Sequence, residues 1–164
     1  MDTVPSQPGE RASKRVAVIM QRRALQSRWQ SETWELAGVL HDYEGDAAAR
    51  AIVDEPAATQ WLYPGLELEL RRDEADGYYL NVTSGEPSVF VLWRMEEARA
   101  VPQYVTASYA EAARWMDAGE NVDRVPIPQH VCAWVAGYVE RNYRPEPKKK
   151  QRPQSFRHPK DRAA

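Results

Sequence analysis

Leu66-Glu67-Leu68-Glu69-Leu70-Arg71 decides the fold of this chain. On an extended backbone its three leucines project to one side and its three charged residues to the other. A helix would spread the same leucines around its axis, so a period of two over six residues marks a strand with one buried face. Asp73-Glu74-Ala75-Asp76-Gly77 follows as a turn in which Gly77 is free to take a positive φ. Residues 78–83 then read as the returning strand, and Ser84-Gly85-Glu86-Pro87 turns the chain again. Residues 88–95 are almost wholly apolar and read as a central strand covered on both faces. Residues 101–107 add one more extended piece. Upstream, residues 14–22 place Val16, Val18 and Met20 on one face and Ala17 and Ile19 on the other. In residues 34–40, Trp34, Leu36, Gly38 and Leu40 alternate with Glu35, Ala37 and Val39.

Helices follow the strands. Ser108-Tyr109-Ala110-Glu111 has the spacing of a capping box, and Gly119 supplies the stop. Residues 120–127 read as a loop, after which Pro128 opens a second helix. Val131, Trp134, Val135, Tyr138 and Val139 form its apolar stripe, and Arg141 and Arg144 sit where the helix dipole favours cations. Strands first and helices after them predict an α+β domain. The expectation is an antiparallel five- or six-stranded meander sheet with two helices packed on one face.

The net charge of -2 conceals two opposed parts. Residues 144–164 carry eight basic and two acidic side chains, a balance of +6, whereas residues 1–143 carry 14 basic and 22 acidic, a balance of -8. The basic segment contains Pro145, Pro147, Pro153 and Pro159, and Phe156 is its only large apolar residue. It cannot bury enough apolar surface to offset the entropy of ordering, so disorder is expected over 144–164 and, for the same reason, over 1–13. The predicted folded domain is residues 14–143. No apolar run has the length of a membrane span and no apolar stretch follows a basic start, so the expected compartment is the cytoplasm.

The familiar reaction-bearing signatures are missing. The sequence has no phosphate-binding glycine loop, no nucleophile elbow, no zinc-protease helix and no paired-cysteine motif. Its one cysteine, Cys132, excludes an intrachain disulfide and any multi-cysteine metal site, and its apolar flanks mark it as an inert core thiol. His41-Asp42-Tyr43-Glu44-Gly45-Asp46 is the densest set of possible ligands, but no glutamate follows at calcium-loop spacing, so it reads as an acidic turn. Glu111, Asp117, Glu120 and Asp123 would do acid–base work only inside a cleft that shifts their pKa, and a solvated acidic face is the plainer reading. The sequence therefore assigns no catalytic, cofactor or metal residues.

Binding features remain. Trp29 lies between Arg28 and Gln30 in a polar stretch, where burial is harder to arrange than for Trp93, Trp115 or Trp134 on core-like stripes. An exposed tryptophan is a common interface anchor. The run Lys148, Lys149, Lys150, Arg152 can attract phosphate or acidic surfaces, although it lacks interleaved aromatics for base reading. Trp29, Trp34, Lys148, Lys149, Lys150 and Arg152 make up the candidate partner surface.

Three stretches carry a resemblance. They are residues 29–40, with their paired tryptophans, residues 105–128, with the serine-capped helix and the Val125-Pro126-Ile127-Pro128 entry, and residues 133–149. Together they resemble a bacterial family of uncharacterised proteins whose genes tend to lie near those for molybdenum-dependent formate dehydrogenase. That resemblance implies a role in maturing or assembling the enzyme and brings no catalytic residues with it. The expectation is a non-enzymatic cytoplasmic accessory protein that binds a formate dehydrogenase component or a co-encoded accessory protein. The alternatives are a small enzyme or cofactor-binding domain with a carboxylate-lined crevice near Asp117–Asp123, and nucleic-acid binding by the basic segment.

Overall fold

The computed structural model describes residues 12–145. In chain order they form β1 (Ala12–Ala24), β2 (Glu32–His41), β3 (Arg50–Asp54), β4 (Ala58–Leu70), α1 (Ala75–Val82), β5 (Ser88–Glu96), β6 (Arg99–Thr106), α2 (Tyr109–Asp117), β7 (Asn121–Pro126) and α3 (Gln129–Asn142). A 3₁₀ turn, Arg72–Glu74, joins β4 to α1. The expected disorder of residues 1–13 and 144–164 falls almost wholly outside the described residues. No helix among the described residues is long and apolar enough to cross a membrane.

The class is α+β, as the strand and helix patterns predict, but the single meander is replaced by two antiparallel sheets. One has the order β2-β1-β4-β3 and the other β6-β5-β7. β4 lies against β6 and β2 against β7, so the two sheets enclose a common core. Leu68 and Leu70 of the leucine strand are fully buried there with Val16, Val18 and Met20 of β1, Val89 and Val91 of β5, and Val131 and Val135 of α3. Glu67 on the opposite face is exposed. β5 occupies the centre of its sheet and is buried from Ser88 to Leu92 before its end runs out to solvent.

Three elements correct the sequence reading. Residues 78–82 lie in α1, with Thr83 as its C-cap, rather than in a returning strand, despite their aromatic and β-branched content. The helix buries Ala75, Gly77, Tyr78 and Asn81, a spacing of three and four residues that satisfies one helical face. Gly77 has no left-handed conformation; it is a packing glycine, because a Cβ there would collide with Ser108 Oγ and lie 3.2 Å from the Ala110 nitrogen. Residues 121–126, read as loop, form β7 and pair with β5 in the register Val122↔Leu92 and Val125↔Val89. The short outer strand β3 is a third addition, and α1 raises the helix count to three among the described residues.

Other local readings hold. α2 is capped by Ser108, whose Oγ accepts the Glu111 N–H at 3.0 Å. The reciprocal half of the capping box is absent: the Glu111 carboxylate accepts from Arg71 at 2.6 Å, and the Ser108 N–H donates to Thr106 Oγ1 at 3.0 Å. α2 stops at Gly119 (φ 81°), with Gly119 N–H donating to Met116 O and Glu120 N–H to Trp115 O. The apolar stripe of α3 buries Val131, Val135, Tyr138 and Val139 and packs Trp134 against the core edge.

Candidate functional site

The two candidate tryptophans have different fates. Trp29 stands on the loop between β1 and β2 and is 94% exposed. The loop beneath it is built: Leu25 N–H donates to Ser31 O at 2.9 Å and Trp29 N–H to Ser27 Oγ at 3.2 Å. Leu25 beside this closure is also exposed, so the end of the β1–β2 hairpin presents an indole and an isobutyl group to solvent. Trp34 is half-buried on β2 and packs against the core. Lys148, Lys149, Lys150 and Arg152 lie outside the described residues.

The carboxylates expected to gather near Asp117–Asp123 are dispersed onto separate partners. Asp123 Oδ2 accepts the Leu36 N–H at 2.9 Å and so ties β7 to β2. Glu120 forms a two-point pair with Arg94, at 2.7 and 3.1 Å, and these hydrogen bonds hold its pKa below the usual carboxylate value. Asp117 is exposed at the end of α2.

An open groove of about 510 Å³ lies elsewhere, between β4, β6 and α2. Of the four expected carboxylates, Glu111 lines it, joined there by Glu67, Glu69 and Arg71. Its aromatic wall is Tyr104 and Trp115, whose ring centroids are 6.3 Å apart. The backbone explains the opening. Between Val16↔Leu66 and Val18↔Tyr63 the strand β4 carries Pro64 and Gly65 opposite Ala17 alone. Gly65 adopts φ 88°, so this is a bulge that bends β4 and leaves a stretch of floor without a side chain. A smaller hollow of about 200 Å³, lined by Arg15, Tyr43, Ala47 and Pro64, shares Gly65, Leu66 and Glu67 with the groove.

Behind the groove an ionic cluster fixes α2 to the β4–α1 junction. Buried Glu74 accepts the Ser108 hydroxyl at 2.5 Å and pairs with Arg114. Ser108 is fully buried and engaged as a cap and donor, which makes it a structural hydroxyl rather than an accessible nucleophile.

The acidic turn after β2 is tied down too. Asp42, at φ 56°, pairs with Lys14 Nζ at 3.1 Å and His130 Nε2 at 3.4 Å. Burial pushes the His41 pKa below its usual value, and neither of its ring nitrogens has a hydrogen-bond partner among the described residues. Among the described residues no three His, Cys, Asp or Glu side chains are grouped to hold a metal ion. Cys132 is a free, half-buried thiol in the first turn of α3, less enclosed than a core position.

The groove residues were not legible as a set, because they come from three elements brought together only by sheet packing. The one available signal was Pro64-Gly65 within a strand pattern, which marks a bulge.

Among the described residues these features define an α+β fold with two small sheets, three helices, an exposed tryptophan loop and an acidic groove. Residues 15–152 match the model of the family described as protein of unknown function DUF3305, and the chain belongs to that family. No curated protein and no solved structure matches it.

Proposed function

We propose that this chain is a non-enzymatic accessory protein that binds a component of a formate dehydrogenase system during its maturation or assembly. The Trp29 loop and the basic run at residues 148–152 are its contact surfaces. The observation that carries the binding part of this reading is Trp29 itself, 94% exposed on a hydrogen-bonded loop. Isolated exposed apolar side chains are common, but a whole indole displayed with Leu25 beside it is the chemistry of an interface anchor. Covering it would contribute about 3 kcal/mol from area alone. The formate dehydrogenase part rests on the sequence resemblance.

The test is affinity capture of the tagged protein from cells making the enzyme, compared with a Trp29→Ala variant. Co-purification of a formate dehydrogenase component with the parent chain, and its loss with the variant, is the expected outcome. Normal formate dehydrogenase activity in a deletion strain would defeat the reading.

A further inference from the structure

We infer that the outer edge of β3 is a self-association surface, on which two copies of the chain pair antiparallel through Arg50–Asp54. Arg50 of each copy then lies opposite Asp54 of the other. This holds independently of the formate dehydrogenase reading.

Topology singles out the edge. Among the described residues the two sheets, β2-β1-β4-β3 and β6-β5-β7, have four edge strands. Three of them meet a strand of the other sheet. β2 and β7 face each other, with the Leu36 N–H donating to Asp123 between them, and β6 lies against β4. β3 is the fourth. It pairs with β4 over residues 59–62, and among the described residues no strand lies on its other side. The outward N–H and C=O groups of such a strand are a template for another strand. Arg50, Ala51, Ile52 and Asp54 are all exposed, Ile52 to 43%.

Symmetry names the partner. The strand reads Arg50-Ala51-Ile52-Val53-Asp54, with a cation at one end, an anion at the other and apolar residues between. Laid antiparallel on a second copy about Ile52, it sets Arg50 opposite Asp54 twice and Ala51 opposite Val53 twice. The two Ile52 residues then meet at the twofold axis. A parallel arrangement would set Arg50 against Arg50 and Asp54 against Asp54, so charge selects the antiparallel one. Neither charge is spent inside the chain. Among the described residues Arg50 and Asp54 have no ion pair, and the Asp54 carboxylate accepts no hydrogen bond. Arg50 donates to the Tyr43 hydroxyl at 3.2 Å, which leaves its other guanidinium N–H groups for a carboxylate.

The strand also limits what can form. Ile52 is the extra residue of a bulge, between Ala51↔Trp61 and Val53↔Gln60. Five residues with a bulge make few rungs, so the dimer is reversible rather than permanent. Pairing consumes the open edge of each copy, and assembly stops at two.

The experiment follows the purified full chain by sedimentation equilibrium from about 10 µM to about 1 mM, the range of a small interface. A monomer–dimer equilibrium without larger species is expected. Amide resonances of residues 50–54 should move with concentration, while those of residues 34–38 on β2 and 101–105 on β6 stay in place. Arg50→Asp and Asp54→Arg each set like charges opposite one another twice, and each alone should weaken self-association by about tenfold or more. An equimolar mixture of the two variants restores both opposite-charge pairs and should associate as the parent does, as should one chain carrying both changes. A chain that is monomeric throughout, or a dimer that neither single change weakens, would overturn the inference. So would a mixture no tighter than its components, or concentration-dependent shifts confined to another edge or to the Trp29 loop. Partner capture through Trp29 moves none of these readouts, so either proposal can fail alone.

Discussion

Asn81 and Ser88 exchange two hydrogen bonds across the turn that follows α1: the Ser88 N–H donates to Asn81 Oδ1 at 2.9 Å, and Asn81 Nδ2 donates to Ser88 O at 2.7 Å. The same Nδ2 reaches Ala107 O at 2.9 Å, so one fully buried amide joins α1 to the start of β5 and the end of β6. Asn81→Ala leaves one donor and two acceptors without partners in a place water does not reach. A loss of about 3 kcal/mol in urea unfolding is expected. Ser88→Ala keeps the backbone groups that matter and should cost less than about 1 kcal/mol.

Two helical glycines should respond to alanine with opposite signs. Gly77 packs on the α2 cap, and an added methyl would meet Ser108, which cannot withdraw because it is buried, bonded to Glu74 and capping α2. Gly77→Ala is therefore expected to destabilise by about 2 kcal/mol, despite the better helix propensity of alanine. In α3 a Cβ at Gly137 would find its nearest neighbour, the end of the flexible Arg141 side chain, at 3.4 Å. Gly137→Ala should stabilise by about 0.5–1 kcal/mol. Thermal or urea melts of the two variants side by side check both signs.

What the sequence disclosed and what it hid divide along a physical line. The leucine alternation of β4, the serine cap and glycine stop of α2 and the apolar stripe of α3 depend on backbone period and local hydrogen bonding, and each is found where those patterns put it. α1 was hidden because Tyr78, Tyr79 and Val82 carry strand propensity, while the deciding interactions of Gly77 and Asn81 are with residues 108, 88 and 107. β7 was hidden because Asn121, Asp123 and Pro126 look like loop residues; pairing with β5 overrides that preference. The site divides in the same way. The polar surroundings of Trp29 made burial harder to arrange but left packing at a sheet edge open, whereas the groove is a product of the Gly65 bulge and of the contact between sheets.

Stability should fall with acid in a window set by His41. Its pKa is lowered in the folded protein, chiefly by burial, with the repulsion of His130 and Lys14 adding to it and the attraction of Asp42 opposing it. The unfolded chain therefore takes up a proton first as pH drops below the ordinary histidine value of 6.5, which favours unfolding until the folded-state pKa is passed. Asp42 is also lowered, chiefly by its hydrogen bond from Lys14, but its contribution disappears only below the carboxylate value of 3.8, outside that window. Urea midpoints should be lower at pH 5.5 than at pH 7.5. In His41→Phe, which removes the titration while filling the half-buried site, the difference should shrink; an unchanged difference would assign the effect elsewhere.

Trp29 and Trp34 sit five residues apart and should separate binding from stability. Trp34 is half-buried against the core on β2, so Trp34→Ala opens a cavity at the sheet edge and is expected to cost about 2 kcal/mol. Trp29, at 94% exposure, gives up almost no burial when truncated, and Trp29→Ala should leave the urea midpoint within about 0.5 kcal/mol of the parent. If the Trp29 loop is the anchor, this stability-neutral change should weaken partner capture by about tenfold or more, the effect of a central aromatic anchor. A Trp29→Phe replacement keeps much of the apolar area and should recover part of the capture. Loss of capture by Trp34→Ala alone, with Trp29→Ala behaving like the parent, would move the contact surface from the loop to the face of β2.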